Sequence, residues 1–158
     1  MATLKVRIQE DIILDNQDYG SKRILEISSI NEISKRILTI TTTESTIATF
    51  SAAAASAGHY IASDVRYIRF TNLVASGGNF ITLTFRNQDN DEVAIKIDAS
   101  QSFVWNGDNS NGMTAVFNAT EDADANSNVA LGDLTNIQAD SIGADCDLEM
   151  IIASVWYL

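Results

Sequence analysis

The chain has 158 residues, among them 10 Lys/Arg, 21 Asp/Glu, one cysteine and no proline, and its formal net charge is −11. One domain of this length buries enough surface to fold without a disulfide or a structural metal. A single cysteine excludes an intrachain disulfide, and the lack of any CxxC motif or Cys/His cluster argues against a zinc site.

The charge is distributed unevenly along the chain. Residues 1–86 carry nine Lys/Arg and eight Asp/Glu, whereas residues 87–158 carry only Lys96 against thirteen acids. Because this field repels phosphate backbones, we expect no nucleic-acid partner. The chain starts without the apolar region of a signal peptide and has no apolar run of bilayer length, so we expect cytoplasmic synthesis and no membrane partner.

Strand-like segments dominate the first 60 residues. Leu4, Val6 and Ile8 alternate with polar residues, which predicts a first strand that the apolar residues 12–14 continue and the turn residues 15–20 close. The alanine-rich segment 51–58 shows neither a cap nor an amphipathic period, so we expect a loop there. Further strands are predicted at 23–28, 35–41 and 46–50.

The stretch from Val65 to Arg86 contains the clearest strand signals. Residues 65–73 and 80–86 are rich in β-branched and aromatic side chains, and Ile81, Leu83 and Phe85 alternate with polar residues. Gly77 and its neighbours supply backbone freedom for a reversal between the two runs. The pattern predicts that the two runs form an antiparallel hairpin with a longish loop.

The second half continues in the same way, with acidic or glycine-rich turns between short apolar runs. Residues 93–97 extend the hairpin into a meander, and residues 118–128 read as an acidic loop. Other predicted strands are 103–105, 113–117, 137–141 and 146–158, with turns at 106–112 and 143–145.

Roughly ten short strands at spacings of 8–12 residues, with no sustained helical period, predict an all-β protein. We expect a single domain over residues 1–158, folded as an antiparallel, jelly-roll-like β-sandwich.

The acidic loop partly matches the ligand spacing of a calcium site. Its oxygen donors alternate as in an EF-hand loop, but Ser127 stands where that loop needs glycine, and no helices flank it. We therefore expect a solvated loop, with calcium as the less favoured alternative and no other cofactor. The ligands of that alternative are Asp122, Asp124, Asn126, Asn128 and Asp133.

Few residues offer catalytic chemistry. His59 is the only histidine and belongs to no nucleophile motif, so we expect an ordinary loop histidine and no enzyme activity. Cys146 lies at an alternating apolar position, which indicates a buried, inert thiol. Four aromatic residues are either core or interface anchors, the favoured interpretation, or a platform for stacking sugars: Tyr60, Trp105, Trp156 and Tyr157.

The C-terminal strand is apolar on both faces, so both faces must be covered. It is either central in the domain or covered by a second subunit, and the second alternative predicts a homo-oligomer. The residues of that interface are Ile151, Ile152, Val155, Trp156, Tyr157 and Leu158. Cations of the near-neutral first half are further candidates for docking, chiefly Lys5, Arg7, Lys35 and Arg36.

Three segments resemble a known group of proteins: residues 24–40 (ILEISSINEISKRILTI), 65–85 (VRYIRFTNLVASGGNFITLTF) and 144–154 (ADCDLEMIIAS). In the residue pattern of their strands they are similar to small all-β virion structural proteins of tailed bacteriophages, notably those of marine bacteria. The resemblance implies a non-enzymatic capsid decoration (cement) protein in the virion, assembled in the host cytoplasm, that binds itself and the major capsid protein. The alternatives are a tail, collar or fibre-adaptor subunit, or a carbohydrate-binding β-sandwich.

Overall fold

The computed structural model describes residues 1–53, 56–119 and 130–155. The regular secondary structure of these residues is β-strand, as predicted, apart from one short 3₁₀ turn at Ala62–Asp64. The strands are β1 (Ala2–Glu10), β2 (Ile13–Leu14), β3 (Gln17–Asp18), β4 (Ser21–Ile30), β5 (Glu32–Ile40), β6 (Ser45–Ser51), β7 (His59–Ile61), β8 (Val65–Asn72), β9 (Phe80–Asn87), β10 (Glu92–Ile97), β11 (Ser102–Asn106), β12 (Leu134–Ile142) and β13 (Cys146–Ser154).

Two sheets form the body of the molecule. One has five strands in the order β10-β9-β12-β6-β7, and the other has four in the order β11-β8-β13-β5. Neighbouring strands are antiparallel except for the short parallel pair β6–β7. The predicted antiparallel β-sandwich is therefore confirmed.

The pairing resembles one long hairpin rolled into two layers. β9 pairs with β10 at its end, and then β8 with β11, β6 with β12 and β5 with β13. Among these eight strands only β9 and β10 are consecutive neighbours in one sheet, so every other connection crosses between the sheets. Alternating side chains on each strand therefore face one shared core.

The core is packed around aromatic side chains from both sheets. Phe85 on β9 is fully buried, and its ring lies 6.3 Å from Phe70, 5.4 Å from Phe103 and 5.2 Å from Trp105, measured between centroids. Phe70, Phe103 and Trp105 all belong to the opposite sheet. Edge-to-face and tilted aromatic contacts of this kind add to the free energy gained from burial.

The predicted hairpin between residues 65–73 and 80–86 is wrong, although both strands exist. β8 pairs with β11 and β13, whereas β9 pairs with β10 and β12. The seven residues between the strands carry the chain from one sheet to the other, and the Phe70 ring meets the Phe85 ring edge to face across the core. Alternation in a strand identifies its buried face but not its partner.

Three local predictions also need correction. Residues 113–117 form only an isolated bridge, Phe117 with Gly132, and no strand. The predicted turn at 15–20 is too long, because Gln17–Asp18 pairs with Ile13–Leu14 and only Asp15 and Asn16 form the reversal. Residues 12–14 continue the direction of β1 as predicted, since the β2–β3 pairs keep the register of the β1–β4 pairs. The short strand β7 follows the alanine-rich segment and was not predicted.

The first 30 residues lie outside both sheets. β1 and β4 pair only with each other, and β2 and β3 form a small hairpin at their far end. We call residues 1–30 the arm, residues 10–19 its tip, and the end near Leu4 and Ile27 its base. Only Asn31 separates β4 from β5, so the arm joins the body directly at the edge of the four-stranded sheet.

The aromatic packing of Phe85 generates the first prediction. Phe85→Ala removes a ring that touches three others, so we expect the free energy of unfolding to fall by about 3–5 kcal/mol. Val93→Ala, at a position on the neighbouring strand that is 40% exposed, is the matched control. Denaturant titration measures both variants, and a loss below about 1 kcal/mol for Phe85→Ala contradicts this packing.

Candidate functional site

The arm has one apolar and one polar face. Leu4 pairs with Ile27, Val6 with Leu25 and Ile8 with Arg23, and directly opposed residues of antiparallel strands lie on the same face. The opposite face carries Lys5, Arg7, Gln9, Lys22, Ile24 and Glu26. The alternation of the first strand was predicted from the sequence, but its position outside the sandwich was not.

Only the base of the apolar face is covered by the body. Ile27 is buried in a second small core with Tyr67 and Val155, and Leu4 and Val6 pack against it. Tyr67 belongs to the outer face of the four-stranded sheet, since Ile68 and Phe70 point into the main core. The arm therefore attaches to the outside of the sandwich.

Beyond Val6 the large apolar side chains of the arm are uncovered. The exposed fraction is 55% for Ile8, 54% for Ile12, 79% for Ile13 and 61% for Leu14. Of the 15 large apolar side chains that are exposed among the described residues, eight lie in the arm. A concentration of this kind at one end of a molecule marks an interaction surface.

The tip is a formed hairpin rather than a loose loop. Asp15 and Asn16 have φ values of 50° and 62°, the left-handed pair that a two-residue reverse turn requires. The backbone N–H of Tyr19 donates to the carbonyl oxygen of Ile12 at 2.8 Å, and the Tyr19 hydroxyl donates to Gln17 Oε1 at 2.8 Å. The tip thus presents Ile13 and Leu14 in a defined geometry.

Four cations were predicted to take part in docking, and the structure divides them into two kinds. Lys5 Nζ lies 2.8 Å from Glu26 Oε1, and this contact lowers the pKa of the Glu26 carboxyl. Lys35 Nζ lies 3.0 Å from Glu149, which also pairs with Arg69. Arg7 and Arg36 make no ion pair with any described residue, so their charge is the more available for a partner.

The apolar C-terminal strand is accounted for within the chain. β13 lies centrally between β5 and β8, which is the first of the two alternatives predicted for it. Ile152 and Val155 are buried at 1% and 5% exposure, and Ile151 is partly covered by the base of the arm. These three residues therefore do not present an interface, and residues 156–158 lie outside the described part of the chain.

An open groove lies between the edge strand β5 and strand β6. Its volume is about 480 Å³, and Arg36, Leu38, Ile47, Thr46 and His59 are among its lining residues. These described lining residues include the only histidine and no carboxylate. The hydroxyl groups of Ser45, Thr46 and Thr49 line the same groove, so His59 and Arg36 are the groups there that can recognise an acidic partner.

Of the five predicted calcium ligands, only Asp133 lies among the described residues. Asp133 Oδ1 accepts a hydrogen bond of 2.8 Å from the backbone N–H of Ala115, which holds the left-handed residue Ala115 in place. Asp122, Asp124, Asn126 and Asn128 lie outside the described residues, so the hypothesis stays a prediction. Within the described residues, no three His, Cys, Asp or Glu side chains converge as metal ligands do.

Two of the aromatic residues considered for sugar stacking pack in or against the core. The Trp105 ring is partly buried and packs against Phe85 and Phe117, and Tyr60 is 9% exposed and donates from its hydroxyl to Ser34 at 3.0 Å. Trp156 and Tyr157 lie beyond the described residues. Tyr60 is therefore a core residue, as predicted, and Trp105 is a partly buried residue packed against the core.

The loop 106–112 lies beside the base of the arm. Asn109 shares a cavity of about 310 Å³ with Ile27 and the buried Arg66. The Arg66 guanidinium donates to the carbonyl oxygens of Ser63 and Ser110 at 2.5 and 3.3 Å, so it ties the loop to the body. This loop and the base of the arm therefore occupy the same end of the sandwich.

No known family model, curated protein or solved structure matches this chain. Among the described residues, no helix is long and apolar enough to cross a bilayer. Function must therefore be argued from the surfaces described above.

The different environments of base and tip generate the second prediction. Ile13→Ser combined with Leu14→Ser alters only exposed tip residues, so we expect the free energy of unfolding to change by less than about 0.5 kcal/mol. Ile27→Ser places a hydroxyl in the small core at the base, and we expect a loss of about 2–4 kcal/mol. Equal effects in a urea titration at low protein concentration would contradict this division of the arm.

The third prediction concerns Cys146, which is 1% exposed. Burial, reinforced by the charges of Asp145 and Asp147, raises the pKa of its thiol, so the reactive thiolate is scarce at pH 8. We expect a disulfide reagent to label the native chain at least about 100-fold more slowly than the urea-unfolded chain. Equal labelling rates in the two states would show that the thiol is accessible.

Proposed function

We propose that this chain is a non-enzymatic structural subunit of a tailed-bacteriophage virion, and specifically a capsid decoration protein bound to the major capsid lattice. The observation that carries the proposal is the arm, a hairpin with an uncovered apolar tip attached to a sandwich whose core is complete without it. Such a surface serves contact between proteins. The assignment to a virion rests on the resemblance of the three strand segments given above.

The order of the strands supports the same proposal. We infer that the eight paired strands form a jelly roll, the two-layer arrangement found among viral capsid proteins and lectins. A fold alone does not define a function, so this agreement supports the proposal without carrying it.

The polar face of the arm fits the role of the surface that meets the lattice. It carries Lys5, Arg7 and Lys22 against Glu26, a local excess of positive charge on a chain of net charge −11. In this proposal the cations approach the shell, while the acid-rich second half keeps the decorated particle soluble. The tail, collar or fibre-adaptor alternative uses the same surfaces and differs only in location.

A carbohydrate-binding sandwich receives less support. Sugar recognition by stacking needs exposed aromatic rings. Tyr60 is buried, and the partly buried Trp105 ring is engaged by Phe85 and Phe117. We therefore do not propose it as a second function.

The fourth prediction tests the proposed location. Particles purified from cells whose genome encodes this chain should contain it by mass spectrometry, and immunogold labelling should decorate their heads. Shells stripped of the protein should bind it again in a co-sedimentation assay. Labelling confined to tails would favour the tail alternative. Absence of the chain from purified particles would overturn the proposal.

A further inference from the structure

We propose that the arm tip of one copy inserts into the groove between β5 and β6 of a second copy, so that copies of this chain join head to tail. The inference rests on the proposed function and deepens it, because it names the surfaces that link neighbouring subunits on a lattice. Neither surface was predicted from the sequence as an interface between copies, and Arg36 was predicted only as a docking cation.

The tip needs a cover that its own chain does not provide. Ile12, Ile13 and Leu14 are each more than half exposed, and Tyr19 beside them is 58% exposed. From Val6, the last covered residue of β1, to Leu14 the chain spans up to about 26 Å at strand spacing. The tip therefore reaches well beyond the surface against which its base is packed.

The groove matches the tip in size, and its mostly polar lining includes two apolar side chains. Its volume of about 480 Å³ lies in the range of sites that enclose a few large side chains. Leu38 and Ile47 supply apolar walls, and both are only partly buried against the main core. The adjoining β5 is an edge strand, so it also offers unpaired backbone groups.

The two surfaces are also complementary in charge. Residues 10–19 carry Glu10, Asp11, Asp15 and Asp18 and no cation. The groove presents Arg36 and His59, and no carboxylate is among its described lining residues. Arg36 has no ion-pair partner among the described residues, so its charge is available to the acidic tip. Complementary charge sets the orientation in which two surfaces meet.

A second copy is the occupant that these observations favour, because every copy carries both an unfilled groove and an uncovered tip. The two patches differ, so the contact is heterologous, and repetition of it gives a ring or an open chain of subunits. Either arrangement suits a protein that decorates a repeating lattice.

The test uses the full chain in sedimentation velocity from 1 to 100 µM. We expect the unaltered protein to self-associate. Ile13→Ser with Leu14→Ser in the tip should weaken association by about 100-fold, since two apolar anchors lose their burial. In the groove, Arg36→Glu reverses the complementary charge and Thr46→Trp fills the space, and each should weaken association at least about tenfold. Val104→Ser, at an exposed position on β11, is the matched control and should have no effect.

Mixing variants makes the test specific for head-to-tail contact. The tip variant has an unaltered groove, and the Arg36→Glu variant has an unaltered tip. An equimolar mixture should therefore form one-to-one dimers and nothing larger, at a concentration at which each variant alone associates much more weakly than the unaltered protein. Circular dichroism melting curves establish that every variant is folded.

The outcomes separate this inference from the proposed function. A monomeric wild-type chain at 100 µM, or variants that associate as the wild type does, would overturn the inference. If the tip variant instead loses co-sedimentation with shells while the wild type stays monomeric, the tip binds a shell protein and the inference is wrong. Self-association that follows the prediction, without any binding to shells, would keep the inference and contradict the decoration role.

Discussion

The contact of Phe85 with three aromatic rings of the opposite sheet is the interaction on which the remainder of the structure depends. It closes the two sheets around one core and fixes which face of each strand points inward. The core is complete without the first 30 residues, because the arm contributes only to the separate small cluster around Ile27 and Tyr67. Beyond its base, the arm therefore makes no contribution to the core, and its tip is available to bind another molecule.

The arm owes its shape to sequence features that serve no internal packing. Asp15 and Asn16 supply the left-handed turn, and Gly20 is required because a Cβ atom there would lie 2.4 Å from the carbonyl oxygen of Glu10. A compact hairpin that carries Ile13 and Leu14 in water is an aggregation hazard unless a partner covers it. The four acids of the tip limit indiscriminate association and favour a basic partner site such as the groove with Arg36.

The sequence was sufficient for the class of fold and for most strands, because alternation of apolar and polar residues reports burial directly. It did not reveal that β8 and β9 lie in different sheets, since their alternation is the same whichever strand pairs with them. The buried state of Cys146 was predictable from its apolar position, and so was the two-sided cover of β13.

The interface was harder to predict. Alternation marked Leu4, Val6 and Ile8 as one face, but only the structure shows that the body covers the first two and leaves Ile8 exposed. The groove joins residues that are far apart in the sequence, such as Arg36 and His59, so no local pattern signals it. The assignment of the chain to a virion is a proposal that depends on the resemblance of three strand segments to phage proteins.

Amide hydrogen exchange as a function of protein concentration tests the central claim most directly, namely that the tip of the arm is an interface. The account predicts that residues 10–19 and residues 36–47 gain protection together as the concentration rises from 1 to 100 µM, while β9 and β12 in the core stay equally protected throughout. Exchange at the tip that is fast and independent of concentration would contradict it.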